Sequence, residues 1–396
     1  MMRPLDGIKV LELGQLIAGP FTTKILAEFG AEVIKIEPPL SGDPLRKWRL
    51  LHEGTSVWWA SQSRNKKSVT VNLRSPEGQG IIRRLVKEVD ILVENFRPGA
   101  LESWGLDEDT LKSINPALIM VRISGYGQTG PYRDRPGFGV VGEAMAGFRH
   151  LSGEPGRPPV RVGISIGDSL AALHAVIGSL MALRHREVQQ GGGQVVDVAL
   201  YESVFNMMES LVAEYAHFGE VRQPAGSSLP GITPSNAYLC ADGKYALIAG
   251  NGDSIFKRLM LLIGRPDMAE DPAFAHNDGR VAEAEYIDGV IAQWAAQHSL
   301  DEVLQALHEH RVPAGRVYDV ADIFKDPHYQ AREMLIQGEL EDGTAVTLPG
   351  ILPKLSKTPG GVERKAPTLG QDTDEVLLSL GFDEATLHQL RAQGVI

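Results

Sequence analysis

The sequence predicts an α/β protein with a doubly wound parallel sheet in a large domain and a second, smaller α+β domain. The first observation is an opening strand–helix–strand unit, in which a helix from Pro20 to Phe29 separates strands at Ile8–Leu13 and Ala31–Glu37. The second is that strand-like and helical stretches keep alternating up to residue 123. The third is a long apolar helix at residues 169–184. Such alternation predicts a parallel sheet with a ligand near the carboxyl ends of its strands.

The elements that follow the opening unit are short and closely spaced. Strands are expected at Val69–Leu73, Ile91–Glu94 and Leu118–Ile123, and a helix is expected at Pro76–Val89. Helical patterns also occur at Gly139–Phe148 and, after the long helix and one more strand, at residues 201–218. These elements complete the first part of the large domain, for which we expect residues 1–220.

The stretch from Arg161 to Leu200 contains the main candidate for chemistry. Apolar residues recur at helical spacing from Ser169 to Arg184 with few polar interruptions, so we expect a helix that is buried on most sides. Asp168 is expected at its N-cap or first position, where backbone N–H groups and the helix dipole stabilise a carboxylate. The residue type alone favours simple capping over a chemical role, because Asp is a preferred cap residue.

The turn before this helix contains a competing motif. Residues Gly163 to Gly167 read G-x-S-x-G, the pattern of the nucleophile elbow of α/β-hydrolases, with Ser165 as its nucleophile. That elbow needs a good strand before the serine and a helix directly after it. The preceding segment is rich in proline, which disfavours a central strand, and the helical pattern begins only after Gly167. A hydrolase is therefore the weaker alternative.

Two glycine-rich loops lack the features of nucleotide sites. Residues 14–21 have the glycine spacing of a phosphate loop, but Pro20 and Phe21 occupy the places where Lys and Ser/Thr are required. Residues 125–130 read G-x-G-x-x-G after a strand, yet the segment that follows begins with Pro131 and reads as a loop, whereas a dinucleotide fingerprint opens a helix. Neither loop predicts a nucleotide site.

The second half of the chain predicts a smaller domain inserted into the large one. A linker rich in Pro, Gly and Ser is expected at residues 221–237, and the small domain at residues 238–311. It begins with a hairpin around Ala241–Lys244 and continues with three helical patterns. Residues 312–396 then return to the large domain, with a second hairpin near Gly343 and two helices at the end.

Composition excludes several classes of protein. The net charge of −11 over 396 residues argues against nucleic-acid binding. We find no apolar run that suggests a membrane span or a signal peptide, and the single cysteine, Cys240, fits a reducing compartment, so we expect a cytoplasmic protein. The eleven histidines are scattered and predict no metal site. Basic residues concentrated between Arg46 and Lys67 are expected either in a solvated loop or as anchors for phosphate groups.

Nine segments together resemble the class III CoA-transferases (CaiB/BaiF type), a group that includes formyl-CoA transferases and is related to the α-methylacyl-CoA racemases. The resemblance covers essentially the whole chain. The segments are Ala18–Phe21, Gly30–Glu37, Ser41–Arg46, Asn65–Gly78, Val93–Leu101, Ser124–Tyr132, Gly167–Leu173, Gly191–Ser203 and Leu369–Thr373. Short motifs of this kind are individually unspecific, but nine in the same order are highly specific.

The resemblance implies a function and a set of site residues. It implies that CoA moves reversibly between an acyl-CoA, with succinyl-CoA or another dicarboxyl-CoA as the suggested donor, and a small carboxylic acid. Asp168 is then the nucleophile, CoA is a substrate, and no cofactor is permanently bound. The resemblance also implies an interlocked homodimer in which the large, Rossmann-like domain of each chain binds CoA. The implied CoA-binding residues are Gln15, Leu16, Ile17, Ala18, Val71, Asn72, Leu73, Arg74, Asn95, Phe96, Arg97, Pro136, Gly137, Phe138 and Gly139.

Two departures from the family pattern affect the expected reaction. Racemases of this family have a catalytic histidine where this chain has Phe138, so racemisation or epimerisation is disfavoured. Some oxalate-acting members have a glycine run that closes over the intermediate, whereas this chain has Gly231 alone near that position. The alternatives that remain are an acyl-CoA racemase, a thioester hydrolase using Ser165, and a CoA-binding protein without chemistry.

Overall fold

A six-stranded parallel sheet lies at the centre of the larger of two units in this computed structural model, which describes residues 2–396. The larger unit comprises the chain up to Arg149, Val162–Gly219 and His328–Ile396, and the smaller unit comprises His150–Arg161 and Glu220–Pro327. Residues 221–237 and 312–327, expected as a linker and as part of the return, thus lie in the smaller unit.

Residues 2–396 contain thirteen strands. They are β1 (Lys9–Glu12), β2 (Glu32–Glu37), β3 (Leu51–His52), β4 (Thr55–Ser56), β5 (Lys66–Thr70), β6 (Ile91–Glu94), β7 (Ile119–Ser124), β8 (Val195–Ala199), β9 (Ser235–Leu239), β10 (Tyr245–Ala249), β11 (Ala314–Arg316), β12 (Leu335–Glu339) and β13 (Ala345–Pro349). The large sheet has the order β5-β2-β1-β6-β7-β8, and every pair in it is parallel. The strand order reverses at β1 and β6, which is where sheets of this type bind ligands.

The same residues contain nineteen α-helices. They are α1 (Ala18–Glu28), α2 (Val57–Gln62), α3 (Pro76–Val86), α4 (Ala100–Ser103), α5 (Glu108–Ile114), α6 (Gly139–Met145), α7 (Phe148–Leu151), α8 (Ile166–Val188), α9 (Leu200–Phe205), α10 (Leu211–Phe218), α11 (Asp253–Leu262), α12 (Pro266–Glu270), α13 (Asn277–Ala282), α14 (Ala284–Ala295), α15 (Leu300–Glu309), α16 (Val320–Lys325), α17 (Pro327–Ala331), α18 (Thr373–Ser379) and α19 (Glu384–Ala392). Two short 3-10 helices lie at Pro44–Lys47 and Pro272–Phe274.

Helices cover both faces of the large sheet. Side chains of α3, α18 and α19 pack with one face of the strands, as Leu11 and Val69 show, and those of α1 and α8 pack with the other, as Val10 and Val121 show. Because successive side chains of a strand point to opposite faces, the continuous apolar strands are buried on both sides. The predicted mixed α/β fold with a large parallel sheet is confirmed.

The long helix α8 differs from its prediction in burial. Its buried side consists mainly of small residues such as Ala171, Ala175 and Ala182, whereas Ile177 and Met181 are 48% and 67% exposed. Within the single chain, the expectation of burial on most sides is therefore wrong. Periodicity cannot separate a side chain that faces the core from one that faces outward when both sides are apolar. Within residues 2–396, α8 alone is long and apolar enough to cross a membrane, and its small residues pack in the core of the larger unit.

Two other predicted elements are shifted or divided. The strand expected at Val69–Leu73 runs from Lys66 to Thr70, because Lys66 is buried and paired with Glu12, and the partly exposed Lys67 is paired with Glu32. The helix expected at residues 201–218 is broken between Phe205 and Leu211.

The smaller unit has its own core. Strands β9, β10 and β11 form an antiparallel sheet, and the predicted hairpin pairs Tyr245 with Leu239. Side chains from α11, α14 and α15, including Phe256, Ile291 and Leu307, form one buried cluster with this sheet. Arg280 is fully buried in this unit and donates to Asp253 at 2.8 Å.

Candidate active site

The segments predicted to bind CoA follow four parallel strands at the same edge of the sheet. Gln15–Ala18 follows β1, Val71–Arg74 follows β5, Asn95–Arg97 follows β6, and Pro136–Gly139 lies in the loop after β7. Carboxyl ends of parallel strands meet at one edge, so these segments share that edge although they are far apart in sequence. Contact with CoA stays a prediction.

Gln15 and Asn95 join the loops of the two central strands, β1 and β6. The Gln15 backbone N–H donates to Asn95 Oδ1 at 2.7 Å, and Asn95 Nδ2 donates to the Gln15 carbonyl at 2.8 Å. A Cβ on Gly14 would lie 3.0 Å from Asn95 Oδ1 and 3.2 Å from the Cα of Gly19. Glycines at 14 and 19 therefore allow the loop to fold tightly over Asn95.

Asp168 is the third residue of α8 and is partly exposed. The expectation that it would be the N-cap or first residue is wrong, because the helix begins at Ile166 with Ser165 as N-cap. The position remains within the first turn, where the helix dipole favours a carboxylate.

Helix α6 begins directly against this carboxylate. A Cβ on Gly139 would lie 2.3 Å from Asp168 Oδ2, and one on Gly167 would lie 3.1 Å from the Gly139 carbonyl oxygen. The fully buried Glu143, one turn into α6, accepts from Arg149 Nε at 3.1 Å. Both glycines are required for this close packing of α6 on the start of α8.

Helices α1 and α8 pack against each other. Both lie on the same face of the sheet, and the Thr22 hydroxyl, about one turn into α1, is 3.4 Å from the Ala172 carbonyl, nearly two turns into α8. The first turn of α1 has no side-chain cap. Among the described residues, no acceptor is found for the backbone N–H groups of Ala18 and Gly19, and both residues are buried. Two backbone donors are thus available beside the helix that carries Asp168.

The four residues after β5 differ in accessibility. Val71 is 1% exposed and belongs to the core, so its side chain is remote from any ligand, while the backbone N–H of Asn72 donates to the Val395 carbonyl at 2.7 Å. Leu73 packs against the same core. Arg74 is exposed, and only its cationic side chain is free to reach outward.

The segment after β6 ends in an exposed cation. Phe96 packs edge-on against Trp104, with ring centroids 5.1 Å apart. Arg97 is exposed and donates to the Asp134 carbonyl at 3.0 Å, which links this segment to the loop after β7. A guanidinium group held in this way can bind a phosphate.

Glu94, the last residue of β6, holds the start of the Asn95–Arg97 segment. Its carboxylate accepts from the Phe96 backbone N–H at 2.8 Å and pairs with Arg122 Nε at 2.8 Å. Arg122 also pairs with Glu102 at 2.9 Å. Burial raises the pKa of the Glu94 carboxyl to about 7, although Arg122 acts in the opposite direction.

The loop before α6 places an aromatic ring at the site. Phe138 is 68% exposed and directly precedes Gly139, and Pro136 is also exposed. A Cβ on Gly137 would lie 2.9 Å from the Cα of Gly125, so these two glycines pack the loop against the end of β7. The position that is a histidine in racemases therefore has no acid–base group here.

Ser165 does not lie in a nucleophile elbow. Described residues 152–165 form no strand, so the sharp strand-to-helix turn of a hydrolase is absent from this segment. The serine is instead the N-cap residue of α8, and its side chain makes no capping bond. The described chain also has no group of three or more His, Cys, Asp or Glu side chains arranged to hold a metal ion.

Three of the six basic residues between 46 and 67 belong to neither a solvated loop nor a row of phosphate anchors, so both expectations are wrong for these three. Arg46, Arg64 and Lys66 are buried and ion-paired. Their partners are Glu37 for Arg46 at 2.8 Å, Glu28 for Arg64 at 2.7 Å and Glu12 for Lys66 at 2.8 Å. These pairs support the sheet from within.

Glu12 is the centre of the buried charges below the β1 loop. Its two oxygens accept from Lys35 at 2.7 Å and from Lys66 at 2.8 Å. Burial alone would raise the pKa of the Glu12 carboxyl, but the two lysines lower it to about 2. Burial lowers the pKa of the Lys66 ammonium group to about 8. Sequence reasoning missed this cluster; its signal was Lys35, a charged residue inside an apolar strand.

Comparisons with known proteins identify the family of this chain. The model for CoA-transferase family III matches residues 5–373. The chain belongs to CoA-transferase family III. It is 48% identical over 396 residues to the succinyl-CoA–D-citramalate CoA-transferase of Chloroflexus aurantiacus, covering 100% of this chain and 98% of that protein. It is 42% identical over 398 residues to the succinyl-CoA–L-malate CoA-transferase beta subunit of the same organism, covering 99% and 98%.

Solved structures support the same assignment. A CaiB/BaiF family protein from Brucella suis is similar with a TM-score of 0.83 and 34% identity, covering 96% of this chain and 100% of that chain. The predicted membership of the class III CoA-transferases, and with it the prediction of a CoA-transferase, is confirmed.

Proposed function

We propose that this CoA-transferase moves CoA from succinyl-CoA to a second small dicarboxylic acid through a covalent intermediate on Asp168. The observation that carries the proposal is the setting of Asp168. It is partly exposed in the first turn of α8 and lies against Gly139, and α8 packs against α1, whose first turn carries the donors Ala18 and Gly19. An accessible carboxylate next to unoccupied backbone donors suits nucleophilic attack on a thioester.

The proposed reaction consists of four exchanges at carbonyl carbons. An Asp168 oxygen attacks the thioester carbonyl, the carbon–sulfur bond breaks, and CoA leaves as a thiolate with its electron pair. The thiolate then attacks the aspartyl carbonyl of the mixed anhydride, which releases the donor acid and leaves an aspartyl-CoA thioester. The acceptor carboxylate attacks this thioester, and the returning thiolate finally forms the product acyl-CoA and frees Asp168. Atoms balance without water or ATP.

The chain's own residues supply electrostatic stabilisation and binding in this scheme. Each attack places negative charge on a carbonyl oxygen, and the N–H groups of Ala18 and Gly19 are the donors that we assign to it. Arg74 and Arg97 are the exposed cations assigned to the CoA phosphates. The remaining segments predicted to bind CoA line the same edge of the sheet.

The acids are inferred from relatives. Proteins named for succinyl-CoA with citramalate or malate are 48% and 42% identical to this chain over nearly its full length. Both named acceptors are dicarboxylic acids with a hydroxyl group. We infer succinyl-CoA as donor and a hydroxydicarboxylate of this size as acceptor.

A homodimer in the cytoplasm is part of the proposal. Exposed apolar side chains follow one side of α8, including Leu173, Ile177 and Met181, and α10 has no buried residue although Val212, Tyr215 and Phe218 are apolar or aromatic. An apolar surface of this extent is typical of an interface. We assign it to a second copy of this chain, interlocked with the first.

Each alternative function either needs a feature that this chain lacks or leaves a feature of the site unexplained. Racemisation requires a second acid–base group, and Phe138 occupies its place. A hydrolase that used Ser165 requires the elbow, and residues 152–165, which lead directly to this serine, form no strand. A CoA-binding protein without chemistry would leave the accessible Asp168 unexplained.

An acceptor screen tests the proposed substrates. The protein is incubated with succinyl-CoA and, in separate reactions, citramalate, malate, glutarate, oxalate or acetate, and new CoA thioesters are identified by mass spectrometry. We expect new thioesters with citramalate or malate and a stoichiometric release of succinate. Transfer only to acetate or oxalate would contradict the inferred acid pair, and release of free CoA without an acceptor would indicate a hydrolase.

A further inference from the structure

The loop that leads from β1 into α1 contains a residue in an unfavourable backbone conformation. Leu16 has φ of 65°, in the left-handed region that a non-glycine residue rarely adopts. Such a conformation persists only where the surroundings hold it in place, and it occurs preferentially at functional sites. The residues that hold Leu16 therefore determine how α1 begins two residues later.

Asp43 is the main side chain that holds this residue. The Leu16 backbone N–H donates to Asp43 Oδ1 at 3.0 Å and to Oδ2 at 3.2 Å. Asp43 is fully buried and lies 27 positions away in the sequence, after β2. Its Oδ1 also accepts from the Leu45 backbone N–H at 2.9 Å, which fixes the direction of the carboxylate.

Lys35 holds both Asp43 and the loop. Its Nζ lies 2.8 Å from Asp43 Oδ2 and 2.7 Å from Glu12 Oε1, and it donates to the Gly14 carbonyl at 2.9 Å. Lys66, on the other side of Glu12, donates to the Pro20 carbonyl at 2.8 Å. All four charged side chains are fully buried, and two carboxylates balance two ammonium groups.

We propose that Asp43, held by Lys35, is a positioning residue of this CoA-transferase that acts through the backbone of Leu16. By fixing the left-handed turn, it sets where the Ala18 and Gly19 N–H groups lie relative to Asp168. The same contact, with that of Asn95, occupies the N–H groups of Leu16 and Gln15, so these two cannot serve as donors to substrate. The inference rests on the proposed attack by Asp168.

The charge of Asp43 is essential to this role. In an Asp43→Asn variant, one amide oxygen can still accept from Leu16, but the amide nitrogen is a donor and would face the Lys35 ammonium group. Two donors in contact repel, so the side chain must turn and release part of the loop. A displacement of about 1 Å, or the loss of one oxyanion donor, lowers turnover by about 100-fold in other enzymes.

The experiment compares two buried carboxylates. Asp43→Asn is matched with Glu28→Gln, because Glu28 is also buried and accepts from Arg64 at 2.7 Å but does not contact the loop. We expect Asp43→Asn to lower kcat by about 10- to 100-fold while the Kd for CoA, measured by calorimetry, changes less than about threefold. Glu28→Gln should lower the melting temperature and leave kcat within about twofold.

The outcomes separate this inference from the proposed function. If Asp168→Asn is inactive but Asp43→Asn has the same kcat as Glu28→Gln, the positioning role is wrong and the nucleophile stands. If Asp168→Asn keeps its activity, the proposed function itself is wrong. Should Asp43→Asn not fold, Asp43→Glu keeps the charge beside Lys35 but moves the carboxylate by one methylene. A wild-type kcat in that variant would overturn the proposal.

Discussion

Gly139 and Asp168 are packed so closely that a methyl group does not fit between them. A Cβ on Gly139 would lie 2.3 Å from Asp168 Oδ2 and 3.0 Å from its Cγ. Gly139 is the first residue of α6 and is buried, so neither backbone can withdraw easily. The absent side chain therefore decides which orientation the carboxylate of Asp168 adopts.

Substitution of Gly139 should damage turnover more than folding. We expect Gly139→Ala to lower kcat at least about 10-fold, because the displaced carboxylate no longer lies in line with the thioester carbonyl. Gly80→Ala is the matched control, since Gly80 lies in α3 with no atom near its missing Cβ, and alanine there should stabilise the helix by about 0.5–1 kcal/mol. Equal kcat values for the two variants would show that the contact does not orient Asp168.

Removal of the exposed cations should weaken binding of CoA. Arg74→Ala and Arg97→Ala should each raise the KM for acyl-CoA several-fold with little change in kcat, because contacts with phosphates bind the ground and transition states alike. Lys87→Ala is the control, because Lys87 is an exposed cation near the amino ends of the strands. A lower kcat at unchanged KM would assign the two arginines a different role.

The stability of the protein should depend on pH through Glu94. Burial in the folded state raises the pKa of this carboxyl from its usual value of 4.5 to about 7. Between these pH values the folded protein holds a proton on Glu94 that the unfolded chain has lost. Glu94 therefore contributes stability below pH 4.5 that disappears as the pH rises to 7, and the change is at most about 3 kcal/mol.

Urea denaturation at several pH values measures this dependence. The free energy of unfolding of the wild type, minus that of Glu94→Gln, should fall between pH 4.5 and 7 and then become constant. A difference that stays constant over this range would mean that the charge of Arg122 outweighs burial and that Glu94 stays ionised in the folded state.

The proposed dimer can be tested at its apolar helix. Light scattering should give twice the chain mass of 43.0 kDa at all micromolar concentrations, because interlocked chains cannot separate without unfolding. Met181→Glu, which places a charge on the exposed side of α8, should prevent assembly of soluble dimer. Leu40→Glu is the control, because Leu40 is 99% exposed outside any helix. A wild-type monomer would rule out the interlocked architecture.

The sequence predicted the parts of the fold that depend on local patterns. Strands β1, β2, β6 and β7 alternate with helices whose apolar faces are continuous. The start of α8 was missed because Ser165, a preferred N-cap residue, competes with Asp168 for that role. Local preference could not decide between them.

The candidate site depends on contacts that a single sequence does not reveal. Asp168 was singled out by its place at a helix start and received its role from the family resemblance, but its packing against Gly139 joins residues 29 positions apart. The pairing of Lys66 with Glu12 joins residues 54 positions apart, and a cluster of lysines is as consistent with a solvated loop as with a buried ion network. Opposite charges that pair across the sheet can be recognised only once the order of the strands is known.

The central claim is that the carboxylate of Asp168 carries CoA. Asp168→Asn is nearly isosteric and can still stabilise the first turn of α8, so a purely structural role predicts almost wild-type activity. The nucleophile role predicts complete loss, since a neutral amide cannot form the anhydride. Ser165→Ala, which removes the hydroxyl of the competing motif, should retain most of the activity.

Mass spectrometry of the trapped intermediate is the most direct measurement. Wild-type protein is mixed with succinyl-CoA and quenched with hydroxylamine or borohydride, and its peptides are then mapped. The account predicts a modification at Asp168 alone, absent from Asp168→Asn and present in Ser165→Ala. A modification at Ser165, or full transfer activity in Asp168→Asn, would contradict it.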